Sequence, residues 1–329
     1  MCLTAAAPSV KSMRNHVTAP ATAAALCLVV LLFFVRGHAG PPAPVVIAPA
    51  AAPPPISGER PDRLDRSGDD LFWTTTGRLG SGTPVATVSR ARGDVVTVVR
   101  REFGVSFGDV ADGRFVVVNN FLRGSSRIER LGDGSAVAAS PGLIGLRDLG
   151  TDGTSLFWAD EAGIHTVPVG GGVVRTPARS PAVGVVTLDG GRLYFAAGNE
   201  VRSVGIDGGR VRTEVSGRAT VTALAVRGGR VYWSELGSGI RGRGGFFHSP
   251  APGRVVTEIT TNAARVTWVD CTDAGDDCRV RAYADGVTRS ISTGAGTHDM
   301  QDDGVSVAYA GAGGVSRRLL AGPGRSARF

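Results

Sequence analysis

Two glycine-bounded segments match motifs that carry chemistry in other proteins. Gly237–Gly242 has the G-x-G-x-x-G spacing that cradles a dinucleotide, and Gly104–Gly108 has the G-x-S-x-G spacing that presents a nucleophilic serine, here Ser106. Both motifs need a helix directly after the turn. The glycine motif is followed by Arg243-Gly244-Gly245, in which the two glycines disfavour a helix. Ser106 is flanked on both sides by strand-like residues. We therefore predict a loop at Gly237–Gly242, a strand at Ser106, and no catalytic or cofactor-binding residue from either motif.

The acidic and histidine residues give no strong metal signature. An acidic cluster is formed by Asp270, Asp273, Asp276 and Asp277. Its spacing departs from a calcium-binding EF-hand loop, and it is compatible with either a solvated turn or a weak cation site. The histidines that follow the N-terminal region are His165, His248 and His298, which are far apart in the sequence. We predict no metal ligands and no cofactor.

The cysteines divide into two pairs. Cys2 and Cys27 lie in the N-terminal region, whereas Cys271 and Cys278 are separated by six residues. No second cysteine pair or histidine cluster accompanies Cys271 and Cys278, so a zinc site is disfavoured. In an exported domain such a local pair predicts a disulfide.

The N-terminal segment predicts export. Lys11 and Arg14 precede an apolar run over 23–35, and small residues precede a possible cleavage site before Gly40. Residues 1–39 therefore read as a signal peptide or, because residues 17–35 are nearly long enough to span a bilayer, as a retained membrane anchor. Either alternative places the rest of the chain outside the cell, at its surface or in a periplasm. Residues 40–60 are rich in Pro and Ala and predict an extended linker.

The charge balance argues against nucleic acid as a partner. The formal net charge is +7, but Lys11, Arg14 and Arg36 supply three of these charges within residues 1–39. In the remaining chain arginines and acidic residues are interspersed, as over 62–66, and form no basic block.

A short apolar core recurs throughout residues 61–329. The copies are Leu71-Phe72-Trp73, Phe115-Val116-Val117, Leu156-Phe157-Trp158, Leu193-Tyr194-Phe195, Val231-Tyr232-Trp233, Val266-Thr267-Trp268 and Val307-Ala308-Tyr309. They recur at a mean spacing near 39 residues, and the chain contains 48 glycines, many of them at turns between strand-like segments. This period and composition predict an all-β propeller whose blades are four-stranded antiparallel sheets.

One unit illustrates the predicted blade. Residues 221–226 form a strand, Arg227–Arg230 form a tight turn with Gly-Gly at its centre, and 231–234 form the next strand. Two further strands are expected around 246–248 and 255–256. Seven cores predict seven blades, with six as the alternative because the span 234–268 is short. The last unit lacks a fourth strand, so we expect residues before Asp69 to close the ring.

Several cores resemble the YWTD-type propeller repeats of the low-density lipoprotein receptor family and of similar exported bacterial propellers. The matching segments are Phe72-Trp73-Thr74-Thr75, Phe157-Trp158-Ala159-Asp160, Tyr232-Trp233-Ser234-Glu235 and Thr267-Trp268-Val269-Asp270. The resemblance implies that the terminal acidic residue takes part in the structural bonding of the repeat.

These observations predict a non-enzymatic binding module. Its ligand, an unknown protein or cell-surface molecule, is expected at the loops or the channel mouth on one face. The alternative is a hydrolase or lyase in which acidic and histidine residues from several blades meet at the central channel. The four tryptophans recur at the blade period and are expected to pack in the core. We further predict a monomer whose only contact with a membrane is the possible N-terminal anchor.

Overall fold

The computed structural model describes residues 45–47, 57–79, 82–140, 146–180, 183–217, 219–272, 274–275, 277–294, 297, 299–311 and 314–320. The predicted leader (residues 1–39), with Cys2 and Cys27, lies outside the described residues, as do His298, Asp273 and Asp276. Among the described residues no helix is long and apolar enough to span a bilayer.

The described elements are 28 strands in seven four-stranded sheets, here called blades 1–7. Blade 1 contains β2 (Ser57–Ser67), β3 (Asp70–Arg78), β4 (Pro84–Arg92) and β5 (Val95–Phe103), and blade 2 contains β6 (Ser106–Ala111), β7 (Phe115–Asn120), β8 (Ser125–Arg130) and β9 (Ala136–Ser140). Blade 3 contains β10 (Arg147–Thr151), β11 (Ser155–Asp160), β12 (Gly163–Pro168) and β13 (Arg175–Arg179), and blade 4 contains β14 (Val183–Asp189), β15 (Arg192–Ala197), β16 (Glu200–Gly205) and β17 (Gly208–Ser216). Blade 5 contains β18 (Val221–Arg227), β19 (Arg230–Glu235), β20 (Gly239–Gly242) and β21 (Phe246–His248), and blade 6 contains β22 (Arg254–Thr261), β23 (Val266–Thr272), β24 (Cys278–Ala284) and β25 (Val287–Gly294). Blade 7 combines β26 (Asp299–Asp302), β27 (Ser306–Gly311) and β28 (Gly314–Leu319) with β1 (Val45–Ile47).

The chain is therefore a seven-bladed propeller, as predicted. Within blades 1–6 each strand pairs antiparallel with the next one in the chain. In blade 7 the outermost strand is β1, with Val45 opposite Arg317 and Ile47 opposite Val315. The segment that supplies β1 lies within the Pro/Ala-rich region 40–60, and the extended backbone that prolines favour is compatible with such an edge strand. Pairing strands from the two ends of the chain closes the ring.

The first strand of each of blades 1–7 lines the axis of the ring. These inner strands (β2, β6, β10, β14, β18, β22 and β26) each neighbour the inner strand of the next blade, and β26 returns to β2. Buried apolar side chains fill the interfaces between blades: Leu64 and Trp73 of blade 1, for example, cluster with Ala308 and Val315 of blade 7. The recurring cores lie on the second strands, where they can pack against both neighbours.

Blade 5 contains both a confirmed and a wrong prediction. The turn between β18 and β19 places Gly228 and Gly229 at φ +56° and +73°, as a two-residue hairpin requires. The third strand, however, is β20, which overlaps the glycine motif predicted as a loop, whereas 255–256 belong to β22 of blade 6. A Cβ atom on Gly239 would lie 2.3 Å from the carbonyl oxygen of His248, so glycine is needed there for close strand packing.

The predicted disulfide is present. Cys271 and Cys278 are directly opposite each other on β23 and β24, and their sulfur atoms are bonded. The disulfide therefore links two neighbouring strands of blade 6 next to the loop that joins them.

Candidate functional site

The inner strands enclose a cavity of about 330 Å³ on the axis of the ring, here called the central cavity. Each of the seven blades contributes at least one residue to its wall. A volume of this size lies at the small end of the range for ligand pockets.

One equivalent position on each inner strand determines the chemistry of this cavity. In blades 1–6 the position lies at an irregularity in the pairing of the inner strand with the second strand. Going round the ring from blade 1 to blade 7, it is occupied by Arg63, Asp109, Asp148, Val185, Ala223, Glu258 and Asp299. A β-bulge redirects side chains, and here it is associated with side chains that line the cavity.

The carboxylates at this position tie neighbouring blades together. Asp109 accepts a hydrogen bond from the backbone N–H of Leu149 in blade 3 (3.1 Å), and Asp148 accepts one from Val186 in blade 4 (3.0 Å). Asp299 accepts one from Leu64 in blade 1 (2.7 Å). Each of these donors directly follows the equivalent position of the next blade, so one local geometry is repeated around the ring.

Among the described residues that line the cavity, Arg63 is the one arginine. Nε of Arg63 is 2.9 Å from Oδ1 of Asp109, and the Arg63 side chain is half exposed. The Asp109 carboxylate raises the pKa of Arg63 above its ordinary value. The cavity wall also includes Asp65, which accepts a hydrogen bond from the N–H of Gly113 (3.2 Å).

Burial raises the pKa values of several carboxyls in the cavity wall. Burial raises the pKa of Asp148 to about 7, and the nearby Asp109 charge adds to the effect. Burial also raises the pKa of Asp65 to about 7. Asp148 has a backbone φ of +54°, which is uncommon for a residue other than glycine. Strained backbone and perturbed pKa values cluster at functional sites, although they also occur in structural networks.

Glu258 and Asp299 form a carboxyl pair from adjacent blades. Burial raises the pKa of Glu258 well above its ordinary value, and the neighbouring Asp299 charge raises it further. Burial raises the pKa of Asp299 to about 6. Each of the two carboxyls therefore influences the titration of the other, and Oε2 of Glu258 is buried without a hydrogen-bond partner among the described residues.

Blades 4 and 5 present a different wall. Val185 and Ala223 occupy the equivalent position there, and Val186, Leu224 and Phe157 complete this part of the lining. We call the residues Arg63, Asp65, Asp109, Asp148, Glu258 and Asp299 the charged arc, and Val185 with Ala223 the apolar arc. The cavity is thus amphipathic, with several acidic groups on one side and aliphatic surface on the other.

The histidines considered in the enzyme hypothesis lie elsewhere. His165 is on the third strand of blade 3, with Nε2 2.8 Å from Asp160, and His248 is on the outer strand of blade 5 beside the Trp268 ring. Burial lowers the pKa of His248. The structure therefore brings acidic residues from several blades to the axis, but neither of the two described histidines.

The two described members of the acidic cluster near the disulfide, Asp270 and Asp277, form ion pairs. Asp270 is fully buried and its Oδ1 bonds Nε of Arg254 at 2.5 Å, while Asp277 bonds the same guanidinium at 2.8 Å. Across the described residues no group of three or more His, Cys, Asp or Glu side chains is arranged to hold a metal ion.

The four tryptophans are buried, and three of them share a local arrangement. Trp158, Trp233 and Trp268 are directly opposite a basic residue on the third strand: His165, Arg241 and Arg281, respectively. The acidic residue two positions after each tryptophan lies close to this basic side chain: Asp160 at 2.8 Å, Glu235 at 3.5 Å and Asp270 at 2.9 Å. The terminal acid of the repeat is therefore part of a structural network in blades 3, 5 and 6.

The charged arc was not predicted from the sequence, although the repeats contain a signal for it. In six blades the equivalent position lies eight residues before the first residue of the recurring core, and in blade 2 it lies six residues before it. Aligning the repeats on their cores brings Arg63, Asp148, Glu258 and Asp299 into one column. Only the closed ring shows that this column faces a common cavity.

Comparison with known proteins supports the fold but gives no family. No family model matches the chain, and no curated protein matches it. Solved structures with similar folds include BamB from Moraxella catarrhalis, with a TM-score of 0.51 and 12% identity over 82% of this chain and 98% of that one. Saccharomyces cerevisiae Sqt1 has a TM-score of 0.51 and 12% identity over 80% of this chain and 96% of that one. A puromycin-hydrolyzing peptidase from Mycobacterium tuberculosis has a TM-score of 0.57 and 18% identity over 85% of this chain and 57% of that one. At these identities the similarities show the propeller fold alone.

Proposed function

We propose that this protein is an exported binding propeller whose central cavity receives a basic side chain of a partner protein. The observation that supports the proposal is the amphipathic cavity wall. The aliphatic stem of a lysine or arginine fits against Val185 and Ala223, while its cationic head meets the carboxylates of the charged arc. Other propellers of similar fold include BamB and Sqt1, and propellers use their faces and channel mouths for binding.

The raised pKa values support a cationic ligand. A carboxyl whose pKa is near 7 is only partly ionised at neutral pH, and a bound cation favours its ionised form. Binding should therefore release protons and be stronger at pH 8 than at pH 5.5. The expected pH dependence of binding therefore follows from the raised pKa values of the carboxyls in the cavity wall.

The decisive experiment compares a lysine with its uncharged isostere. Calorimetric titration would use the peptide Gly-Gly-Lys-Gly-Gly, blocked at both ends, and the same peptide with norleucine at the centre. We expect saturable binding of the lysine peptide only, weakened about tenfold or more by Glu258→Gln and by Asp148→Asn. The control Glu161→Gln, which removes an exposed acidic charge outside the central cavity, should change it little. Equal binding of the two peptides, or none at millimolar concentration, would overturn the proposal.

A second candidate function is supported by the carboxyl pair. Burial and the neighbouring Asp299 charge favour the protonated form of Glu258, and a general acid beside a second carboxyl has this arrangement in hydrolases and lyases. Turnover of 4-nitrophenyl glycosides or aminoacyl anilides that disappears in Glu258→Gln, while the fold is retained, would favour this alternative. Turnover that survives the substitution would exclude this pair as its source.

We also propose that the protein is exported and that its repeats are of the YWTD type. Cleavage before Gly40 would leave β1 on the mature chain, whereas an uncleaved segment would anchor the propeller to a membrane. N-terminal sequencing after cell fractionation distinguishes these outcomes, and recovery of the protein from the cytoplasm would contradict both. The arrangement of tryptophan, acidic residue and basic residue in blades 3, 5 and 6 supports assignment to the YWTD-type repeats.

A further inference from the structure

A second cavity lies between blades 5 and 6 and shares no lining residue with the central cavity. Its volume is about 390 Å³. The turn between β18 and β19 and the turn between β22 and β23 form its edges, and side chains of β19, β21 and β24 form its wall. We call it the blade 5–6 pocket and define it by Arg227, Arg230, Tyr232, Phe246, Asn262 and Tyr283.

Three aromatic rings form one wall of the pocket. Tyr232 and Phe246 meet edge to face with ring centroids 5.7 Å apart, and Phe246 and Tyr283 do so at 4.9 Å. All three rings are half-buried and pack against the core cluster of blades 5–7. Rigid aromatic surface of this kind favours contact with the face of a planar or six-membered ring.

The pocket also contains an amide donor with no partner. Oδ1 of Asn262 accepts hydrogen bonds from the backbone N–H groups of Ala264 (2.9 Å) and Arg265 (3.1 Å). These two donors determine the orientation of the amide, because only its oxygen can accept them. Nδ2 of Asn262 is consequently the free end, and it is buried without a hydrogen-bond partner among the described residues. Buried donors normally have a hydrogen-bond acceptor, so we expect Nδ2 of Asn262 to bind an acceptor atom of a ligand.

Two guanidinium groups flank the entrance. Arg227 and Arg230 are directly opposite each other across the Gly228–Gly229 turn, and both are exposed. The two positive charges repel each other in this position. Among the described residues, neither Arg227 nor Arg230 has a carboxylate within ion-pair distance. The acidic groups nearby are Asp189, which accepts hydrogen bonds from both turn glycines, and Asp285 in the lining. Arg265 is neutralised by Asp302 at 2.7 Å.

We propose that the blade 5–6 pocket binds a small carboxylate carried on a six-membered ring. The carboxylate would accept hydrogen bonds from Nδ2 of Asn262 and pair with Arg227 or Arg230, while the ring lies against Tyr232 and Tyr283. A sugar acid and an aromatic acid both supply this chemistry. The volume suits a single ring of either kind. This site is independent of the central cavity and of the function proposed for it.

The test uses charged probes and their neutral counterparts on the purified protein. Saturation-transfer NMR and calorimetry would compare sodium D-glucuronate with D-glucose, and sodium benzoate with benzyl alcohol. We expect one of the two carboxylates to bind with a Kd below about 10 mM and its neutral counterpart at least tenfold more weakly. The carboxylate that binds more tightly identifies the source as a sugar acid or an aromatic acid.

Matched variants locate the binding. Arg227→Gln combined with Arg230→Gln should weaken carboxylate binding at least tenfold, and so should Asn262→Asp, which keeps the oxygen acceptor of the turn but removes the donor. The control combines Arg210→Gln with Arg212→Gln, which removes two exposed charges from the outer strand of blade 4. The control should bind like the unmodified protein. Equal weakening in both arginine pairs, or no discrimination between carboxylate and neutral probe, would overturn the proposal.

Discussion

The charged arc and the apolar arc occupy equivalent positions of the same ring but differ in chemistry. Blades 4 and 5 have the same pairing irregularity as blades 1–3 and 6, yet Val185 and Ala223 stand where the other blades carry an ionisable group. The bulge therefore does not require a carboxylate. Other contacts join these blades: Asp189 bonds the turn of blade 5, and the Thr222 hydroxyl donates to the carbonyl of Val256 in blade 6 (3.0 Å).

The comparison of the two arcs shows that the carboxylates of the charged arc have two separate effects on the ring. As acceptors of backbone N–H groups they stabilise the ring, and this role needs only an oxygen atom. As ionised groups in a confined cavity they repel one another, so their charge opposes folding. An amide oxygen could accept the same backbone hydrogen bonds without the repulsion. The presence of several carboxylates at these positions is therefore consistent with a function for their negative charge.

The largest effect is expected when an acceptor is removed. Asp299→Ala leaves the buried N–H of Leu64 without a partner and should lower the free energy of unfolding by about 1–3 kcal/mol. Asp299→Asn keeps an oxygen acceptor and should lower it much less. Urea unfolding at pH 7 measures both variants. If alanine and asparagine were equally destabilising, the charge rather than the hydrogen bond would dominate.

A pH series should produce the next largest effect. The pKa values of Asp65 and Asp148 are raised to about 7 in the folded state, from about 4 in an unfolded chain. The folded state therefore binds more protons between these values, so stability should fall as the pH rises from about 4 to about 7 and level off above that. Urea midpoints across this range test the sign, and Asp148→Asn should flatten the curve whereas Ala223→Gly should not.

Removal of the arginine should have a smaller effect. Arg63→Gln eliminates the ion pair with Asp109 and the positive charge that lowers the pKa values of Asp148 and Asp299. Because the Arg63 side chain is half exposed, the loss of stability should be about 0.5 kcal/mol, and it should be greater at pH 8 than at pH 5.5. A loss that is independent of pH would indicate a packing effect instead.

The smallest effect is expected when the charged arc is extended. Val185→Asp places another carboxyl next to Asp148 and should raise the pKa of Asp148 further through like-charge repulsion. Binding of the lysine peptide should strengthen by no more than about twofold at pH 8. Carbon-detected NMR of the carboxyls and calorimetry measure the two changes. An unchanged Asp148 titration would show that the two arcs are electrically separate.

Much of the fold could be predicted from the sequence because each blade repeats a local pattern. The period of the apolar cores and the Gly-Gly turns identified the propeller, its seven blades and the strand that contains Ser106. The prediction failed at β20 because glycine residues suggested a loop, whereas Gly239 is needed for close approach between strands. The disulfide could be predicted because Cys271 and Cys278 are local in sequence and isolated from other thiols.

The candidate sites could be predicted less well, for a geometric reason. The six residues of the charged arc come from five different blades, and Glu258 and Arg63 are far apart in the chain. Nothing local distinguishes Asp148 from an acidic residue on the surface. The free amide of Asn262 likewise depends on contacts that only the folded turn provides.

The sequence by itself determined the repeating blade, its strand period and its turns, because these depend on neighbouring residues and on apolar cores that must be buried. Only the tertiary structure decided what meets at the axis and between blades 5 and 6. Closing the ring brings one position from each blade into a shared cavity, where burial and mutual repulsion change the pKa values of the carboxyls. Those values are properties of the assembled ring and of no single repeat.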